Sequence, residues 1–72
     1  MTTYFTPTEA KTKLNHHIKA LVPFADINVG DYGMITSYYK MGSLYGLNIK
    51  WDHINIVDGF SKDDYERFLE EV

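Results

Sequence analysis

The chain has no cysteine, only two prolines, and nowhere an apolar run of the roughly 18 residues that a membrane-spanning helix needs. Without cysteine, neither a disulfide framework nor a thiolate zinc site can form. Basic residues are scarce as well. Seven Lys and Arg against ten Asp and Glu give a net charge of −3, with no cationic stripe of the kind that tracks a nucleic-acid backbone. The opening MTTYFTPTEA has neither the basic region nor the long apolar stretch of a secretion signal. A soluble, cytoplasmic protein without a membrane span is the expectation.

Signatures of catalysis are also missing. Ser37, Ser43 and Ser61 lack the flanking glycines of a nucleophile elbow, and VGDYG lacks the third glycine of a dinucleotide fingerprint and the Lys-Ser/Thr of a phosphate loop. The paired acids Asp63-Asp64 and Glu70-Glu71 suit a solvated helix face better than an acid and base couple. His16, His17 and His53, with Asp52 and Asp58, are the one plausible metal set, but adjacent histidines in a strand point to opposite faces. No enzyme activity, no metal and no cofactor are expected.

What is present is a small chain rich in aromatics. At 72 residues it has room for one domain, and a chain of this size buries only about 60% of the surface its unfolded form exposes. One tryptophan, six tyrosines and four phenylalanines deliver much buried area per residue, which helps a small core suffice. The charge is two-ended. Up to Phe24, Lys11, Lys13 and Lys19 face Glu9 for +2; from Asp52 onward, seven acids face Lys62 and Arg67 for −5. The plain reading is two solvated helix faces, and the sharper one is an acidic end that meets a basic partner or imitates nucleic acid.

The organising stretch is YGLNIKWD, residues 45–52. Tyr45, Leu47, Ile49 and Trp51 alternate with Gly46, Asn48 and Lys50, the period of a strand with one buried face, which is expected to be the central strand. Thr6-Pro7-Thr8-Glu9 has the form of a capping box with proline at the first helical position, so a helix begins at Pro7. Ala10, Leu14, Ile18 and Leu21 keep helical spacing, while Asn15 is a left-handed stop. The stop is preferred, because it frees His17 to Val22 as a first strand and gives the sheet enough members. PFADINVGDYG then reads as a packed loop with turn points at Gly30 and Gly33 and inward anchors at Phe24, Ile27 and Val29.

The run MITSYY after Gly33 is expected as a strand, joined through Lys40-Met41-Gly42-Ser43 to the central one as an antiparallel hairpin. A short strand around Ile54 to Val57, stopped by Asp58-Gly59, follows. Ser61 then caps a second helix, with Phe60 placed to staple onto Tyr65, and Tyr65, Phe68, Leu69 and Val72 on its core face. The fold class is therefore α+β: a small, strongly bent antiparallel sheet, an SH3-like barrel, with a short N-terminal helix and an amphipathic C-terminal one.

FTPTEAK, VGDYGMI, IKWD and VDGFSKDDYERFLEEV together resemble a family of small uncharacterised bacterial proteins over nearly the whole chain. In that family a glycine commonly stands at the place of Asn15 and a tryptophan at that of Gly59. More loosely, the chain is similar to the small barrel proteins that form part of photosynthetic complexes such as photosystem I. Neither resemblance implies a catalytic residue.

Tyr32, Tyr38, Tyr39 and Tyr45 gather around the hairpin in sequence, and alternation sends one of Tyr38 and Tyr39 outward. With Asp31, Lys40 and Lys50 they form the candidate binding residues, a platform for a protein partner. A non-catalytic protein-interaction module that docks on a larger assembly is the expected function. A nucleic-acid-binding small barrel is the alternative, weakened by the acidic balance.

Overall fold

The computed structural model describes residues 3–72, and its first element starts where Thr6, Pro7 and Glu9 place it. Helix α1 spans Pro7–Lys13. The Thr6 hydroxyl accepts from the Glu9 N–H at 3.2 Å and the Glu9 carboxylate accepts from the Thr6 N–H at 2.9 Å, which satisfies two donors that the helix start would leave orphaned. Asn15, at φ 66, ends the helix in the left-handed region, and the chain turns into β1, His17–Ala20. This strand stops before Val22: the Leu21 N–H makes the last bond in register with β5, donating to the Phe68 carbonyl at 2.7 Å, where β5 gives way to the preceding helix.

Strands β2 (Tyr32–Met41) and β3 (Leu44–Trp51) form the expected hairpin, but its turn is tighter than the sequence suggested. Only Gly42 and Ser43 lie between the paired residues Met41 and Leu44, and Gly42 takes φ 65. Strand β4 is Val57–Phe60, helix α2 is Lys62–Phe68, and β5 is Leu69–Glu71. The five strands make one antiparallel sheet in the order β4-β3-β2-β1-β5. The α+β expectation holds at this level. The middle strand is β2 and not 45–52, since β5 adds beside β1 and moves the centre over by one.

Three further expectations are corrected. The C-terminal helix does not carry Val72 to the core: it ends at Phe68, Leu69 is extended at φ −127 and ψ 154, and Val72 is 62% exposed. The helical spacing of Leu69 and Val72 was overridden by backbone pairing with β1. The fourth strand runs through Asp58-Gly59 instead of stopping there, because each has a place in it. Asp58 accepts the Trp51 Nε1–H at 2.8 Å, and Gly59 lies under the Tyr39 ring, where a Cβ would come within 3.1 Å. Gly33 is no turn point but a buried strand residue, whose missing Cβ leaves room for Ile49 and Trp51.

The loop from Leu21 to Asp31 is packed by two of its three expected anchors. Phe24 and Ile27 exchange both backbone hydrogen bonds across a turn in which Ala25 takes φ 47; Ile27 is buried, whereas Val29 is 62% exposed. The Phe24 ring meets Trp51 and Phe60 at 5.7 Å each and Phe68 at 6.2 Å. Phe60 is on the edge strand β4 and Phe68 ends the helix that leads into the other edge strand, so one loop ring bridges both ends of the core. Ile18, Ile35, Leu47, Ile49 and Trp51 fill that core from the sheet, with Phe5, Ala10 and Tyr65 above them. Fully burying a side chain of this size contributes on the order of 1.5–3 kcal/mol. Among the described residues no helix is long and apolar enough to cross a membrane.

Candidate functional site

Strand β2 has ten residues, while β1 has four, and this mismatch shapes the surface. Pairing with β1 covers Tyr32 to Met34, and the Ile35 N–H and carbonyl are taken by the His16 carbonyl at 3.0 Å and the Asn15 N–H at 2.8 Å. Beyond Ile35 the β1 side of β2 is bare among the described residues. The far half of the hairpin, Ser37 to Gly46, therefore extends as a two-stranded arm. Its β3 side is held by Phe5, which exchanges both backbone hydrogen bonds with Tyr45 at 2.8 Å.

Alternation separates the arm tyrosines as expected, but the outward one is not free. Tyr38 and Tyr45 lie on the core-facing side and pack edge to face, 5.0 Å apart at 77°. Tyr39 lies on the opposite face across Gly46 and Gly59, and a methyl group on Gly46 would overlap its ring. Both glycines are there because an aromatic ring rests on the backbone. Burial pushes the Tyr39 hydroxyl above its ordinary pKa, with Tyr4 and Asp64 adding to the effect. Lys40 is exposed at the same level of the arm.

The remaining candidates sit at the other end. Tyr32 is 51% exposed and seven residues from Tyr39 along β2, about 23 Å at strand spacing. Asp31 is held by its own loops: its carboxylate accepts from the Asn28 N–H at 2.8 Å and lies 3.2 Å from His53 Nε2. Lys50 is exposed beside an open depression of about 340 Å³ that Met34, Thr36, Trp51 and Asp52 also line. The seven candidates thus fall into two groups. Tyr38, Tyr39, Lys40 and Tyr45 make the arm; Tyr32 and Lys50 lie in the paired half of the sheet, with Asp31 just before it.

The two-ended charge of the chain folds back on itself. Lys13 Nζ is 2.6 Å from Glu71 Oε2, Lys19 pairs with Glu70 at 3.5 Å, and Lys62 reaches Glu9 at 3.0 Å. The acidic end meets this chain's own basic end. Glu71 also accepts from His16 Nδ1 at 2.9 Å, and Lys13 first, then His16, hold its carboxyl down to about 2. Glu9 is likewise held at about 2, by the Thr6 N–H first and then by Lys62. The Tyr65 hydroxyl is buried with no partner at hydrogen-bond geometry, and burial, with the nearby Glu71 charge, raises its pKa.

His16 and His53 thus face separate carboxylates, and no three His, Asp or Glu side chains converge on a point among the described residues. No known protein family matches the chain, and neither a characterised protein nor a solved structure does. Sequence reasoning missed Phe5 as a strand partner, Glu71 as the tie between α1 and β5, and the bare edge of β2. The sequence carried no signal for the last, since the strand expected over His17 to Val22 is as long as the run MITSYY it was to pair with.

Proposed function

We propose that the protein is a non-catalytic interaction module, cytoplasmic, that docks on a larger protein assembly through the hairpin arm. Its fold, on the same reading, is a small SH3-like barrel left open along one seam. Connectivity supports this: four strands in a meander, then a short helical return that lays β5 beside β1. The observation that carries the function is the arm. Ser37 to Gly46 runs past both β1 and β4, and although Tyr38 and Tyr45 still pack against the core, it leaves Lys40 and Met41 exposed beside an edge that no described strand pairs.

The test is capture of stoichiometric partners on the tagged full chain after nuclease treatment, with the wild type beside Lys40→Glu/Met41→Glu. Both positions are exposed, so the variant is expected to keep its circular dichroism spectrum and lose the partner. A partner retained by the folded variant contradicts docking through the arm. Recovery of nuclease-sensitive material alone contradicts protein docking.

A further inference from the structure

The ladder of the hairpin decides which backbone groups of the arm are free. In an antiparallel pair, alternate residues turn their N–H and C=O toward the partner strand and the others turn them away. Tyr45 points away from β2, since it bonds Phe5, and Trp51 does so too, since its N–H reaches the Ile56 carbonyl at 3.4 Å. Their cross-strand partners are Lys40 and Gly33, and Tyr38, opposite Leu47, follows the same parity. On β2, then, Gly33, Ile35, Tyr38 and Lys40 direct their backbone groups to the β1 side. The first two are met by β1 and its lead-in. Tyr38 and Lys40 are not met by any described residue. Each leaves one donor and one acceptor on an open strand edge, a template for a further strand.

We infer that this edge pairs with the same edge of a second copy, antiparallel about a two-fold axis through Tyr39. In that register Tyr38 faces Lys40 of the other copy and Lys40 faces its Tyr38, so all four open groups of each chain are satisfied at once. Side-chain chemistry agrees. A lysine on an edge usually guards against pairing, but here it stands across from an aromatic ring and not from its own like charge. Length agrees too: the tip of the second hairpin comes level with Thr36, where β2 has its bulge, and turns back before the slot filled by Asn15 and His16. The inference rests on the reading of the arm as a docking element and names one occupant of its edge.

Sedimentation of the full chain from micromolar to millimolar concentration should show a reversible monomer and dimer. Lys40→Pro removes an outward N–H that the hairpin itself does not use, so two hydrogen bonds are lost per dimer and association should weaken about 30-fold. A second variant fixes the register independently of that proline. The chain has no cysteine, and residues at a non-hydrogen-bonded pair lie about 4.5 Å apart, within disulfide reach. Tyr39→Cys should oxidise to a covalent dimer far faster than Met41→Cys, which lies off the axis. A wild type that stays monomeric throughout overturns the inference and leaves partner capture by the arm standing. Faster cross-linking at Met41 than at Tyr39 overturns it as well.

Discussion

From Tyr32 to Ile35, β2 is paired on both sides and backed by Trp51, Ile49 and Ile18; from Ser37 to Met41 it is paired on one side and bordered by solvent. One strand therefore serves two purposes. Its first half is closed by the core and by the Lys13–Glu71–His16 cluster that fastens β5 and α1 together. Its second half packs Tyr38 at the margin of that core and seats Tyr39 on Gly46 and Gly59, but presents an exposed lysine and methionine and unmet backbone groups. Stability and recognition are divided along the length of one element rather than between two faces of the sheet.

The contrast can be broken most sharply at Trp51. Trp51→Ala removes a buried ring and the bond to Asp58, a loss of about 3–5 kcal/mol, comparable with the whole stability of a domain this small. It should be largely unfolded by circular dichroism at room temperature, whereas Met41→Ser on the arm should shift the urea midpoint by no more than about 0.5 kcal/mol equivalent. Gly46→Ala tests the boundary between the halves. Displacing the Tyr39 ring should cost about 1–3 kcal/mol, and in urea denaturation the double variant with Tyr39→Ala should be less destabilised than the two single effects added. Additive effects would mean that the ring is not seated there.

Acid sharpens the contrast from the other side. Glu71 falls from an ordinary value of 4.5 to about 2 on folding, so the unfolded chain binds its proton more tightly. Its contribution is present above about 4.5 and is lost as pH falls toward 2. Because the carboxylate is partly exposed, that contribution is at most about 1 kcal/mol. Glu71→Gln should flatten the acid limb of the thermal midpoint curve without altering the arm. The smallest effect is expected at His53. Its pair with Asp31 is exposed, and His53→Ala should change the urea midpoint by less than about 0.5 kcal/mol.

The local signals in the sequence that named atoms were the ones that held. Thr6-Pro7-Thr8-Glu9 specified a capping box, Asn15 a left-handed stop and Ser61 a cap, because each uses side-chain chemistry within a few residues. What periodicity alone supported was less secure. Leu69 and Val72 fit a helix stripe equally well until β1 offered a backbone partner, and Asp58-Gly59 looked like a stop until Trp51 and Tyr39 gave both residues work in a strand. The candidate site was half legible for a similar reason. Alternation correctly opposed Tyr38 and Tyr39, but the distance from Tyr32 to the arm, and the overhang beyond β1, depend on where distant strands end.

Residue-resolved amide hydrogen exchange on dilute protein tests the division of β2 most directly. The Gly33, Ile35 and Tyr39 amides, each bonded within the sheet, should be protected, while those of Tyr38 and Lys40 exchange close to unprotected rates. Uniform protection from Gly33 to Met41 would show that the arm's edge is already covered by this chain, and would contradict the account.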